Sequence, residues 1–321
     1  MNKTELLADN IIKGYKLKPS EALGLLKADF HELLYASNKI RRHFKGDRVK
    51  LCAILNAKSG YCGEDCKYCA QSSKHKTEIE RYPLLSQEHM LRALKDARAK
   101  GVSCFSIVTS GKKLSEKELN SVCGYLKKAG KSACALSVSI GEAGPEYLKA
   151  LKKNGLNRFH HNIETAPSNF ANICTTHSFS DKLKSIKHAR ALGLEVCSGG
   201  ILGLGESSEQ RVELAFALRD IGAQSVPVNF LSPIKGTPLE KMKTITPLEA
   251  LRAIAVFRFV LPDRDITVCG GREAVLGDMQ SWVFYAGASG LMVGNYLTTS
   301  GRDTGKDIKM IKDAGLKIAG K

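Results

Sequence analysis

Apolar positions along this chain follow two spacings that take turns. Short, strand-like apolar runs fall at 50–55, 103–109, 133–139, 156–163, 194–201, 225–231, 265–270 and 290–293. Between them lie stretches with the three-to-four-residue spacing of amphipathic helices, near 86–100, 115–129, 145–154, 180–192, 207–222, 247–260, 273–286 and 303–315. Ser86-Gln-Glu-His, Ser115-Glu-Lys-Glu and Thr246-Pro-Leu-Glu249 open three of these helices with a capping side chain and an acid in the first turn. Gly101, Gly130, Gly155, Gly193 and Gly222 follow five of them, where a helix ends most easily at positive φ. Residues 4–45 read as amphipathic helices broken around Pro19-Ser20.

Strands and helices in regular alternation predict a (β/α)8 TIM-type barrel with an N-terminal helical extension; a doubly wound sheet is the competing arrangement of the same pattern. No low-complexity or Ser/Pro-rich linker divides the chain, so the expected organisation is an extension over 1–46 and one barrel domain over 47–321. In such barrels the chemistry sits at the C-terminal ends of the strands and in the loops that follow.

Composition narrows the class. There are 49 Lys and Arg against 32 Asp and Glu, a formal charge of +17, but the cations are spread along the chain rather than clustered, so a nucleic-acid partner is not expected. No run of eighteen apolar residues appears, and no membrane partner is expected. The first residues are polar, without the apolar core of a signal peptide, which points to the cytoplasm. Ten cysteines there argue for metal or redox use rather than a disulfide scaffold.

Three of the ten stand within eight residues, Cys62-Gly-Glu-Asp-Cys66-Lys-Tyr-Cys69. Structural zinc takes four closed ligands, whereas this spacing stops at three. A 4Fe-4S cluster held by three thiolates keeps one iron free of protein. The spacing resembles the signature of radical S-adenosylmethionine enzymes, which implies that the open iron chelates S-adenosylmethionine before one electron cleaves it.

Cys134, Cys197 and Cys269 lie on the expected third, fifth and seventh strands, and Cys104 shares a face of the second with Ser106. Alternate strand residues point into a barrel, so these positions can converge on a second iron–sulfur site. A single strand cysteine is otherwise a small buried hydrophobe. Cys52 and Cys123 read that way, and Cys174, in Asn172-Ile-Cys-Thr-Thr176, is assigned to neither class. Alternation along 158–164 puts Arg158, His160, Asn162 and Glu164 on one face, a poor core but a good lining for a polar ligand. Asn229 is a further inward polar candidate, its alternative role being a bond to a neighbouring loop. Gly203-x-Gly205 lacks the third glycine of a dinucleotide fingerprint, since Ser208 stands there. Glycines at that strand end are expected to let backbone approach a ligand closely.

The segments from Gly60 to Ser73, His161-Asn-Ile-Glu-Thr165, Cys197-Ser-Gly-Gly-Ile-Leu-Gly-Leu-Gly-Glu206, Ser225-Val-Pro-Val-Asn229 and Gly271-Arg-Glu273 together resemble the biotin synthase family, whose reaction inserts sulfur into dethiobiotin. The resemblance implies that Cys62, Cys66 and Cys69 ligate the 4Fe-4S cluster. It implies that Tyr68, Glu164, Gly199, Ile201, Gly203 and Glu206 lie against S-adenosylmethionine, and that His160, Asn162 and Asn229 meet dethiobiotin. The family's auxiliary 2Fe-2S cluster is held by three cysteines and an arginine, positions that fall here on Ser106, Cys134, Cys197 and Thr267. Cys104 and Cys269 stand two residues from the missing ligands on the same strand faces, so a replacement ligand set and a larger auxiliary cluster are the physical alternative. A flavodoxin or ferredoxin electron donor and a homodimer are also implied. The rival readings are another radical enzyme, such as a hydrogenase-cofactor maturase, and a structural zinc or nucleic-acid-binding protein.

Overall fold

A computed structural model of the chain describes residues 2–130 and 134–319. Residue 133, at the start of the expected third strand, lies outside the described residues. Three helices come first: α1 (Lys3–Ile12), α2 (Pro19–Leu25) and α3 (Phe30–Lys45). Pro19-Ser20 is not the expected break but the start of α2. Proline suits the first helical position because its fixed φ is already helical and its missing N–H would have had no partner. The breaks fall on either side, and Asp29 opens α3 by accepting the N–H groups of His31 and Glu32 at 2.9 and 3.0 Å.

The barrel strands are β1 (Arg48–Lys58), β2 (Cys104–Thr109), β3 (Ala135–Ser139), β4 (Arg158–His160), β5 (Glu195–Cys197), β6 (Gly200–Leu202), β7 (Ser225–Phe230), β8 (Asp265–Val268) and β9 (Gly290–Met292). All pairings among them are parallel, and β1 pairs with both β2 and β9. That closure excludes the doubly wound sheet. β5 and β6 are two halves of the fifth barrel strand, interrupted at Ser198-Gly199, and both pair with β7. A short β10 (Lys317–Ile318) extends the start of β1.

The main outer helices are α4 (Gln87–Ala99), α5 (Glu116–Ala129), α6 (Pro145–Lys153), α8 (Phe179–Ala191), α9 (Ser208–Asp220), α10 (Pro247–Val260) and α13 (Thr304–Asp313), with a one-turn α7 (Phe170–Ile173) ahead of α8. Reciprocal capping boxes start α5, α8, α9 and α10, from Ser115, Ser178, Ser207 and Thr246. The helix expected over 273–286 is instead broken into α11 (Arg272–Leu276) and α12 (Trp282–Tyr285), because Gly277 takes φ 49° and ends the first.

Along β1, Val49 and Leu51 are fully buried in the layer between sheet and helices, while the alternate residues Lys50, Cys52, Ile54 and Asn56 point into the barrel. The floor of the barrel is polar and closed by charge: Asp265 accepts Lys45 Nζ at 2.8 Å and Lys50 Nζ at 2.6 Å. Where β8 gives way to α11, the buried Arg272 guanidinium pairs with Asp307 at 2.6 Å, tying α11 to α13.

Candidate active site

The C-terminal ends of the strands open into a cavity of about 350 Å³. The loop after β1 supplies one wall, including Cys62, Cys66, Tyr68 and Cys69. The chain leaves β1 through Gly60 (φ 74°) and Tyr61 (φ 55°). A non-glycine residue in that region costs about 1–3 kcal/mol and persists only where its surroundings hold it. Here they do. Cys62 N–H donates to Gln71 O at 3.1 Å, Ser73 N–H to Cys62 O at 2.7 Å, and Cys69 N–H to Cys66 O at 2.9 Å. Ser110 Oγ, after β2, donates to Gly60 O at 2.6 Å and pins the loop to the barrel. The thiol of Cys66 is pushed well up by its contact with the Cys174 thiol and by burial. Burial pushes Cys69 up to about 11. Both groups thus resist ionising until a metal supplies positive charge. Three thiols on one cavity wall fit an iron–sulfur cluster with one iron left to a ligand.

An adjoining wall carries His160, Asn162 and Glu164. The strand expected over 156–163 ends at His160, so Asn162 and Glu164 are not placed by strand alternation. The Ile163 and Glu164 N–H groups both donate to Gly199 O, at 3.0 and 3.1 Å, and Ile201 N–H donates to Glu164 O at 2.8 Å. Glu164 adopts φ 69° to do this. Its carboxyl is pushed up by burial, against hydrogen bonds from Tyr68 and Asn162. His160 is held down near 4 by burial, so the imidazole is neutral at pH 7, and its Nε2 faces Asn162 Oδ1 at 3.2 Å. His161 stacks on Phe159 instead, 5.5 Å between ring centroids.

The glycines of 199–200 lie tight against neighbouring backbone. A Cβ on Gly199 would lie 1.8 Å from Pro227 O, and one on Gly200 would lie 2.4 Å from Glu164 O. The interrupted fifth strand can pass between its neighbours only as glycine. Ile201 lines the cavity. Glu206 is turned inward, accepting Gly203 N–H and Arg211 Nε at 2.8 Å each, a brace for the turn that follows β6. Asn229 lines the cavity with its amide held at both ends, Nδ2 donating to Gly200 O at 3.3 Å and Oδ1 accepting Gly270 N–H at 3.1 Å.

Beneath the cavity the barrel is filled by cysteines. Register places Cys52 beside Cys104, and Cys197 beside His160. Cys52, read from sequence as an ordinary core residue, instead donates its S–H to Cys104 and feels the charges of Cys197 and Cys269. The bond from Cys52 brings Cys104 down to about 7 against burial, and Arg158 helps, its Nη1 donating to Cys104 Sγ at 3.5 Å. Burial raises Cys197 to about 12 and raises Cys269 further. Cys134 does not join this group in the same way. It precedes β3, the residue registered with Cys104 is Ala135, and Cys134 packs in the main apolar core within reach of Tyr125 on α5. Ser106 and Ser137 are registered neighbours whose buried hydroxyls have no hydrogen-bond partner among the described residues. Thr267 is buried on β8 between Pro227 and Gly290. Four thiols and a guanidinium, with two hydroxyls left unpaired beside them, fit a second iron–sulfur group better than a packed core.

Sequence reasoning missed Cys52, whose place follows from the alternation of β1, and Lys182 of α8, which reaches the cavity beside Glu164. It also missed the rim after β9. Tyr296 lines the cavity with a buried hydroxyl that lacks a partner among the described residues, and Asn56 Nδ2 fixes the adjoining turn by donating to Leu297 O at 2.8 Å.

A closed parallel barrel with a three-cysteine hook at its mouth defines a radical S-adenosylmethionine enzyme, and residues 57–218 match the Radical SAM superfamily. Residues 227–317 match the Biotin and Thiamin Synthesis associated domain. The chain is 48% identical to biotin synthase of Geobacter sulfurreducens, over 99% of this chain and 98% of that protein. It is 49% identical to biotin synthase of Thermodesulfovibrio yellowstonii, over 90% of this chain and 91% of that protein. The chain belongs to the biotin synthase family. Among solved structures the fold is similar to methylornithine synthase, with TM-score 0.85 and 22% identity over 98% of this chain and 97% of that one. It is also similar to the FeFe-hydrogenase maturase of Carboxydothermus hydrogenoformans, with TM-score 0.80 and 18% identity over 96% of this chain and 78% of that one. At those identities the likeness is one of fold. The family implies a 4Fe-4S cluster and S-adenosylmethionine. No helix among the described residues is long and apolar enough to cross a membrane.

Proposed function

We propose that this chain converts dethiobiotin to biotin, and that the hook and the barrel lumen carry the two halves of the reaction. The observation that carries this reading is the juxtaposition of three hook thiols and a polar wall around one cavity, above a second set of thiols in the lumen. When bound, the mouth cluster would supply the electron that cleaves S-adenosylmethionine, and the lumen cluster would supply the sulfur.

Cys62, Cys66 and Cys69 would hold the first. Glu164, kept in place by Tyr68 and by the Gly199 carbonyl, is positioned to accept hydroxyl donors of a nucleoside. Ile201 offers an apolar edge next to it, while Gly199, Gly203 and Glu206 shape that wall from behind. Asn162 and neutral His160 present a hydrogen-bonding edge to a urea-like ring, and Asn229 faces it from β7. Cys104, Cys197 and Cys269, joined by Cys52, would hold the second cluster. Arg158 sits against that set as its cation, so the arginine that the family places at position 267 has a counterpart reaching in from β4. Cys134, Ser106 and Thr267, the positions aligned with the family's ligands, border this set. Burial of Cys104, Cys197 and Cys269, with Cys52 partly buried beside them, would keep water from the carbon centres that receive sulfur. A flavodoxin- or ferredoxin-type donor and a homodimer remain part of the proposal, as does the division into an extension over 1–46 and a barrel over 47–321.

The direct test is anaerobic reconstitution with iron and sulfide, followed by S-adenosylmethionine, a low-potential reductant and dethiobiotin. Methionine, 5′-deoxyadenosine and biotin are expected together. Deoxyadenosine formed at an unchanged rate with and without dethiobiotin, and no biotin, would remove the substrate assignment.

A further inference from the structure

The hook touches a second set of metal-binding side chains that the cluster reading does not use. The segment between α7 and α8 crosses the hook and is zipped to it, with Lys67 N–H donating to Ile173 O at 3.0 Å. Cys174 and His177 follow, the first 4% exposed and the second with a side chain 7% exposed. Cys174 Sγ lies 3.7 Å from Cys66 Sγ. His177 presents Nε2 at 3.8 Å and Nδ1 at 3.2 Å from the same sulfur, and its Nδ1 also meets Glu64 Oε2 at 2.5 Å. One donor atom from each of Cys66, Cys174 and His177 falls within 4.8 Å of the others.

The separation of the two sulfurs matches a single tetrahedral ion, with His177 within reach as the third donor. Metal–sulfur bonds of 2.3 Å set ligand sulfurs about 3.8 Å apart, and a sulfur and an imidazole nitrogen about 3.6 Å apart. The two sulfurs at 3.7 Å are too close to serve two different irons of a cubane, whose terminal thiolates sit on separate corners, so Cys174 is not a fourth ligand to the mouth cluster. Glu64 behind His177 is the carboxylate–imidazole pairing that fixes which nitrogen faces a metal. Here it meets Nδ1, which is also the nitrogen nearer Cys174, so binding requires the imidazole to turn a free nitrogen onto the metal. Glu64 is itself held by Thr176 Oγ1 at 2.6 Å. Asp65 is held by the Thr175 and Thr176 N–H groups at 2.9 and 3.2 Å. The frame is therefore built before any metal arrives. Two thiolates and a neutral imidazole cancel a double positive charge, which suits a buried site.

We propose that Cys66, Cys174 and His177 form a mononuclear site for a divalent tetrahedral metal of the zinc or ferrous class, filled when the mouth cluster is absent and exclusive of it because both need Cys66. Three protein donors leave the fourth position to a non-protein ligand, so the metal can leave when Cys66 passes to the cluster. The site shares Cys66 with the reading above but does not depend on that reading's being right.

Cobalt(II) is the probe, added to cluster-free, full-length protein under anaerobic conditions. Its sulfur-to-cobalt charge-transfer band and tetrahedral visible bands report thiolate ligation directly. The wild type should take up one equivalent more than Cys174→Ala. His177→Ala should bind that equivalent at least tenfold more weakly, and Cys62→Ala and Cys69→Ala should keep it. Zinc or ferrous ion added afterwards should displace it. Circular dichroism of each variant checks the fold. Identical titrations of wild type and Cys174→Ala would overturn the proposal, and so would loss of the equivalent in Cys62→Ala or Cys69→Ala, which would assign the metal to the hook alone. Iron–sulfide reconstitution of those last two variants tests the cluster reading separately.

Discussion

The two groups of cysteines in this protein are built by opposite means. Cys62, Cys66 and Cys69 occupy one turn of loop at the mouth, partly exposed, their spacing set by covalent geometry and a few local hydrogen bonds. Cys52, Cys104, Cys197 and Cys269 come from four strands or strand ends spread across more than two hundred residues, and the lumen buries or nearly buries each of them. A loop can open to exchange a ligand with solvent, which a centre that must bind and release a small molecule requires. A barrel lumen excludes water and moves little, which suits a centre that hands over an atom to a radical. The contrast also shows in the electrostatics. At the mouth, Cys66 and Cys69 are both driven toward the neutral thiol, whereas in the lumen Cys52, helped by Arg158, favours a thiolate at Cys104 alone.

The largest effect should come from the mouth. Cys66→Ala leaves two hook thiolates, and 5′-deoxyadenosine formation should fall to background, measured by chromatography after reconstitution. Normal cleavage by this variant would mean that the hook is not the radical centre.

The lumen should separate cleanly from it. Cys269→Ala is expected to lose the auxiliary iron and biotin formation while S-adenosylmethionine is still cleaved, read by iron analysis beside both product assays. If Cys269 only packs in the wall, the variant will keep its full iron and turnover, and the contrast between the two regions collapses on that side.

Between the two lies the substrate edge. Asn229→Ala removes a hydrogen-bonding amide from the cavity wall and should weaken dethiobiotin binding by about 1–3 kcal/mol, roughly five- to 150-fold, with the mouth cluster intact. Calorimetric titration of wild type against variant decides it; equal affinities would put the substrate elsewhere in the cavity.

The smallest effect belongs to the floor. Burial pushes the Asp265 carboxyl up, but Lys45 and Lys50 outweigh it and hold it below the ordinary carboxylate value. A depressed folded pKa stabilises the fold above the unfolded value of about 4 and loses that contribution as pH falls through the folded one. Asp265→Asn should therefore cost about 1–2 kcal/mol at pH 7, less than for a fully buried pair because Lys50 is half exposed, and should flatten the acid limb of melting temperature against pH. A variant with an unchanged acid limb would show that the floor charges do not brace the lumen.

The sequence by itself determined whatever is local. The hook is a run of eight residues whose chemistry is complete in its spacing, and the alternation of apolar runs with capped helices leads to a barrel because each element must bury one face against the next. Serine and threonine caps marked the helix starts within a residue or so, since a cap acts through the next three residues only. Where a local signal was ambiguous the reading failed: Pro19 opens a helix as readily as it ends one, and Gly277 broke a helical pattern that looked continuous. The tertiary structure decided what depends on register. Cys52 reads as one more apolar residue until β1 is laid against β2, when it falls beside Cys104 and into the lumen. Cys134, by contrast, lines up with a ligand position in sequence, yet it precedes β3 and Ala135 takes the place registered with Cys104. Arg158 and Cys104, and Cys174 and Cys66, likewise lie far apart along the chain. Only closure of the barrel and the crossing of the loop before α8 over the hook bring such pairs into the same small volumes, and no spacing along the chain encodes a distance made by folding.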